Sequence, residues 1–296
     1  MSTHVLTLIG GDIDADVAAA VRAGLNALGA ETERPDWLAA GWACDIVFTG
    51  LAAEQAEGAA RNALGDMAVD VCAQPVAGRR KQLLVADMES TIIEQEMLDE
   101  LGDYVGKKAE IAAITARAMN GEIDFAGALL ERVALLQGLS AGVLDEVWRR
   151  ATLMPGARAL IATMKASGAD CLLVSGGFRC FTSRVRDWLG FDEDRGNDLE
   201  IADGLLTGRP VPPILDKNSK LQSLTEAAAA RRLPLSAAIT VGDGANDLPM
   251  LLAAGLGVAF HAKPSVAAQA HARVDHGDLT ALLYLQGYRR GEFRGE

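Results

Sequence analysis

Asp87 and Glu89 stand two residues apart in Asp87-Met88-Glu89-Ser90-Thr91, with two hydroxyls directly behind them. The run 81–86, ending Leu-Leu-Val-Ala, has the character of a buried strand. Side chains at period two share one side of an extended backbone, so both acids can face one site. In an open α/β sheet, ligands gather at the carboxyl ends of strands. That edge would carry a carboxylate able to act as a nucleophile, a second acid for proton transfer and a hydroxyl donor. Taken alone, the segment reads more readily as an ordinary acidic surface loop than as a site.

Three further segments change the balance. Cys171-Leu172-Leu173-Val174-Ser175-Gly176-Gly177-Phe178 is an apolar strand running into a hydroxyl and two glycines. Glycine lets backbone approach an anion closely, so the Ser175 hydroxyl and the Gly176 N–H can cradle a phosphate. The alternative is a strand-to-helix turn capped by Ser175. Lys220, in the segment 215–221, opens a helical pattern reaching Ala230. A lysine at a helix start opposes the macrodipole, and a nearby anion would account for it; otherwise it is a solvated surface residue. Ala238-Ile239-Thr240-Val241-Gly242-Asp243-Gly244-Ala245-Asn246-Asp247 is a third strand, ending in hard oxygen donors suited to Mg2+. The alternative is an Asp/Asn/Gly turn. Two acids so close repel unless a cation or partner separates them.

The elements that must position these residues read as α/β. At 296 residues the chain can bury a large core in two domains. Residues 1–75 read as a small α/β unit: strands at 4–9, 44–49 and 68–72, helices at 14–28 and 52–64, shorter than a complete ferredoxin-like domain. Residues 74–81 form a boundary. Residues 81–296 read as a core of strands alternating with helices, interrupted at about 92–150 by helical text at 92–104, 107–119, 124–136 and 141–149, punctuated by Gly121 and Gly138. The return to the core begins at 158–165, and a helix at 184–189 follows the Ser-Gly-Gly segment. A hairpin turn is expected at 203–208, a strand at 256–260, a last helix at 280–285 and a frayed charged tail at 289–296.

The net charge of -12 argues against nucleic acid as a partner. A small phosphate ester is still acceptable, because local cations dominate at a site. No stretch has the length and apolarity of a membrane helix, and the first residues lack a signal-type pattern. Cys44, Cys72, Cys171 and Cys180 show no Cys-x-x-Cys spacing and read as reduced, hence a cytoplasmic chain. Four histidines without ligand spacing make zinc a poor fit.

Together the four segments resemble the four motifs of the haloacid dehalogenase-like phosphatase superfamily. Residues 93–101 resemble that family's entry into its cap, and Arg132-Val133-Ala134-Leu135-Leu136 its cap arginine segment. The likeness spans roughly 81–285 and implies a Rossmann-like parallel-sheet core with an inserted helical cap. It also suggests a divergent ACT-like amino-terminal domain, which would bind an amino acid or form a homodimer contact; a plain stabilising appendage fits equally well. One departure is Glu89, where the family usually has aspartate. The resemblance implies Mg2+-dependent hydrolysis of O-phospho-L-serine, the last step of serine biosynthesis, through an aspartyl-phosphate on Asp87. Glu89 would be the acid and base. Mg2+ would be held by Asp87, the Glu89 carbonyl and Asp243, with Asp247 as a further or water-mediated ligand. Ser175, Gly176, Lys220 and Asn246 would bind the phosphoryl group. Glu96 would meet the substrate ammonium and Arg132 its carboxylate, with Phe125 closing the apolar side. From the residues alone, Glu96 is an exposed acid, Arg132 pairs with Glu131 or Glu122, and Phe125 packs within the cap. Rival readings keep the fold but change the ester or the phosphoryl acceptor, or make the protein a slow or inactive amino-acid binder; a dehalogenase would not need the metal ligands.

Overall fold

Helix boundaries in the amino-terminal unit follow from local chemistry. Asp14 accepts hydrogen bonds from the N–H groups of Asp16 and Val17, satisfying donors that a helix start leaves orphaned. The computed structural model describes residues 3–119, 122–215 and 218–295. Gly121, at one expected break in the helical insert, lies outside them, as do Asp216, Lys217 and Glu296. The first elements are β1 (His4–Gly10), α1 (Ala15–Ala27), β2 (Glu31–Thr32), β3 (Asp36–Ala39), β4 (Ala43–Thr49), α2 (Ala53–Leu64) and β5 (Val69–Pro75). Their antiparallel sheet runs β2-β4-β1-β5, with β3 also on β4. β2 and β3 both pair with β4 and together stand where the βαββαβ ferredoxin-like arrangement has its second strand, so the unit is more complete than the sequence suggested. The two added strands, Glu31-Thr32 and Asp36-Trp37-Leu38-Ala39, are too short to show the alternation that marks a strand.

The remaining elements are β6 (Leu83–Ala86), α3 (Met97–Tyr104), α4 (Lys108–Met119), α5 (Phe125–Ala134), α6 (Val143–Trp148), α7 (Ala157–Ala166), β7 (Asp170–Phe178), α8 (Arg179–Leu189), β8 (Glu193–Ala202), β9 (Leu205–Val211), α9 (Ser219–Ala230), β10 (Ala238–Gly242), α10 (Leu248–Ala253), β11 (Leu256–Phe260), α11 (Pro264–Ala267), β12 (Ala272–Val274) and α12 (Ala281–Leu285). The sheet order is β12-β11-β10-β6-β7-β8-β9. All pairings are parallel except the β8–β9 hairpin. The central strands are buried throughout, as expected for a parallel sheet covered on both faces. Helices α3–α6 are the cap, inserted between β6 and α7.

Two expectations change. Residues 92–96 are not helical. Ile92 and Ile93 are fully buried, Ile93 bridges Glu89 and Leu153, and the segment pairs with the cap's return strand through Glu94 N–H to Thr152 O (3.0 Å) and Met154 N–H to Ile92 O (2.9 Å). The tail is docked rather than frayed. Arg289 grips both oxygens of Asp36 at 2.9 and 2.7 Å, Phe293 is buried against Tyr284, and the Arg294 N–H reaches Thr163 Oγ1 at 2.9 Å. All four cysteines are free thiols. Among the described residues, no helix is long and apolar enough to cross a membrane.

Candidate active site

Three adjacent strands, β10, β6 and β7, end beside one another with Val241, Ala86 and Leu173 in line. Asp87 follows the middle strand, Asp243 follows β10, and Ser175 lies near the end of β7. The parallel register brings together residues far apart in the chain.

Asp87, Asp243 and Asp247 each offer a carboxylate oxygen within 4.8 Å of the others. Asp247 is fully buried and Asp87 nearly so. Lys220 enters from the first turn of α9, with Nζ 2.7 Å from Asp87 Oδ1 and 2.5 Å from Asp247 Oδ1. It is 4% exposed, so the solvated-lysine reading fails and the anion that accounts for it is this acidic pair. Burial alone would depress the ammonium, but Asp247 and Asp87 hold its pKa above the ordinary value. One cation shared among three acids leaves negative charge in excess. Burial and the Asp247 charge accordingly raise the Asp87 pKa, against the pull of Lys220. Burial, Asp247 and Glu96 bring Asp243 up to about 6. Clustered hard oxygens with uncompensated charge fit a divalent cation such as Mg2+. Asp247 is itself oriented by the Gly244 N–H, at 3.0 Å from Oδ2. The Thr91 hydroxyl lies 3.4 Å from Asp243 Oδ1.

Glu89 is half-buried beside this cluster. Its Oε1 accepts the Met97 N–H at 2.8 Å, and its Oε2 the Ser175 hydroxyl at 3.3 Å. The longer side chain thus reaches the amino terminus of α3, where orphan N–H groups favour a carboxylate. Gly177 makes room: a Cβ there would stand 2.6 Å from Glu89 Oε2. Burial and the Glu96 charge raise the Glu89 pKa to about 8, despite the Met97 and Ser175 hydrogen bonds.

Ser175 does not cap α8, which begins after Phe178. Its hydroxyl instead accepts the Gly177 N–H at 2.9 Å. Ser175, Gly176, Lys220 and Asn246 line one crevice, with Phe125 of the cap across it. A Cβ on Gly176 would stand 2.8 Å from the Phe125 ring.

In the cap, Glu131 and Glu122 pair with Arg117, at 2.7 and 3.9 Å. Arg132, partly buried, is held by Ala128 O (3.1 Å) and Thr115 Oγ1 (3.4 Å). No described carboxylate lies within salt-bridge distance of it. Burial lowers its pKa, opposed by the charges of Glu89, Asp99 and Glu96. Glu96 is exposed at the start of α3 and accepts the Ser90 hydroxyl at 2.7 Å. Sequence reasoning passed over Asn197, buried on β8 with hydrogen bonds to Gly176 O and Leu215 N. Its surroundings, Glu193-Asp194-Arg195-Gly196-Asn197-Asp198, carry too little apolar pattern to mark a strand.

The family model for haloacid dehalogenase-like hydrolases matches residues 84–252. The chain belongs to that family. It is 40% identical to phosphoserine phosphatase SerB2 of Mycobacterium tuberculosis, across 98% of this chain and 73% of the relative. It is 50% identical to a phosphoserine phosphatase of Polaromonas sp., across 69% of this chain and 89% of the relative. The solved structure of HAD family hydrolase t0658 from Salmonella enterica serovar Typhi superposes with a TM-score of 0.86 at 30% identity, covering 96% of this chain and 98% of that one.

Proposed function

We propose that the protein is an Mg2+-dependent phosphatase that converts O-phospho-L-serine to L-serine and phosphate. The observation that carries the substrate is Arg132, a partly buried guanidinium with no described carboxylate partner, whose charged surroundings include Glu89 and Glu96. A buried arginine calls for an anion, and a substrate carboxylate supplies it while Glu96 receives the ammonium. Relatives of 40 and 50% identity named for this substrate support the reading.

In the proposed reaction an Asp87 oxygen attacks phosphorus, and the ester P–O bond breaks as the aspartyl-phosphate forms. Glu89, whose raised pKa keeps a proton available near neutrality, protonates the departing serine oxygen. It then takes a proton from the water that attacks the acyl phosphate, releasing phosphate and restoring Asp87. Lys220, two of whose three donors face Asp87 and Asp247, has a third for a phosphoryl oxygen. Ser175, Gly176 and Asn246 hold the others. Mg2+, held by Asp87, Asp243, the Glu89 carbonyl and Asp247, would neutralise charge on the phosphoryl group. We read residues 1–75 and 81–296 as separate domains, with the cap at about 92–150, and the free thiols support a cytoplasmic setting.

The test is phosphate release from L-phosphoserine, phosphothreonine and p-nitrophenyl phosphate with Mg2+, using Asp87→Asn as control. Turnover of phosphoserine that disappears in the control and with a chelator is expected. Turnover of only the other esters would discard the substrate, and amino-acid binding without turnover would favour a binding protein.

A further inference from the structure

Strand β7 leaves its ladder at the crevice. Val174 pairs with Arg195, but the next pair is Phe178 with Asn197, so β7 carries two more residues than β8 over this stretch. Backbone groups in such a bulge lose their ladder partners, and buried ones must find others. The Ser175 hydroxyl takes the Gly177 N–H. The side chain of Asn197, 1% exposed, takes the Gly176 carbonyl, donating from Nδ2 at 2.7 Å. Its Oδ1 accepts the Leu215 N–H at 2.8 Å. Gly176 and Leu215 both line the crevice, as does Lys220 of α9. One amide therefore ties the bulge to Leu215 on the crevice wall.

Resting on the phosphatase reading above, we propose that Asn197 is a positioning residue for phosphoryl recognition. It sets the Gly176 peptide and Leu215 at the spacing a phosphoryl group requires, without touching the substrate. Asparagine suits the place because it both donates and accepts; an aspartate keeps the shape and the Leu215 bond but sets a negative charge against the Gly176 carbonyl.

The experiment compares Asn197→Asp and Asn197→Ala with the unaltered chain, measuring kcat and KM for phosphoserine and p-nitrophenyl phosphate, inhibition by orthophosphate, and thermal unfolding. The aspartate variant, folded, should lose on the order of 10- to 100-fold in kcat/KM, the scale of a small misplacement of a binding group. The loss should be equal on both esters and accompanied by weaker orthophosphate inhibition. The alanine variant should move in the same direction by less. A merely structural role would lower the folded fraction and leave orthophosphate inhibition of the folded enzyme unchanged. A folded variant with unaltered kcat/KM and inhibition overturns the proposal, as does a loss confined to phosphoserine. Failure of both variants to fold would assign Asn197 to stability alone and also overturn it. If the unaltered chain hydrolyses only p-nitrophenyl phosphate, the substrate reading fails, while Asn197 is still decided on that ester and orthophosphate. If it hydrolyses neither, calorimetric binding of orthophosphate to the unaltered and aspartate chains decides it.

Discussion

Glu89 has one methylene more than the residue usual at its motif position, and the surrounding chain is shaped to take it. The Met97 N–H receives one oxygen, the Ser175 hydroxyl meets the other, and the missing Cβ of Gly177 leaves the space. The non-helical run 92–96 starts α3 late enough for the Met97 N–H to face the carboxylate. Glu89→Gln keeps this shape and removes the proton. It should lower kcat on phosphoserine by about 10²- to 10³-fold, the usual range for a lost general acid or base. p-Nitrophenolate departs without protonation, so that ester should give a burst of about one equivalent per site, followed by slow turnover as the aspartyl-phosphate waits for its base. Undiminished steady turnover of phosphoserine would remove Glu89 from proton transfer.

At the scale of elements, the cap and the core divide the labour. In the proposed reaction the ends of the core strands hold the phosphoryl group, while α5 carries Arg132. The cap joins the core through two crossings that clip together, the Gln95 side chain bonding both the hydroxyl and the N–H of Thr152 at 2.7 and 2.8 Å. Arg132→Ala leaves those crossings intact. It should cost on the order of 10²-fold in kcat/KM for phosphoserine, about 3 kcal/mol, as for one member of a buried charged pair. The loss should fall mainly on KM and leave p-nitrophenyl phosphate nearly unaffected; equal losses on both esters would show that Arg132 only supports the cap. The sheet was legible because buried parallel strands such as Leu83–Ala86 and Ala238–Gly242 are short continuous apolar runs bounded by turn residues. So were Asp87, Ser175, Lys220 and Asp243, which stand at strand or helix ends. Strand β8 was not, because its first six residues, Glu193 to Asp198, are charged or small and polar and leave no apolar alternation to read. Asn197 was lost with it. The true partners of Glu131 and Glu122 were hidden too, since they depend on how α4 packs against α5.

At the scale of the whole molecule, the amino-terminal sheet is buried on both faces. Leu6 and Leu8 of β1 point into its own helices, while Ile9, with Ala43 and Cys72, joins the cluster holding Tyr284 and Leu285 of the carboxyl-terminal part. Polar groups fasten the same face: Asp70 accepts the N–H groups of Asp275, His276 and Gly277. Arg79, in the connecting segment, grips both oxygens of Asp45 at 2.5 and 2.8 Å and also reaches the carbonyls of Tyr284 and Leu285. Asp45 is 5% exposed, so Arg79→Met strands a buried carboxylate, at a cost of about 3–5 kcal/mol. That loss falls on the join between the two sheets rather than on either core. Unfolding followed by calorimetry should therefore pass from one cooperative transition to two, with the amino-terminal unit melting first. Adding Asp45→Leu should recover much of the loss, because apolar replacement of a whole buried pair is often near neutral. If Arg79→Met unfolds at an unchanged temperature in one step, the join is held by the apolar contacts of Ile9, Ala43 and Cys72, and the ionic grip on Asp45 adds nothing to them.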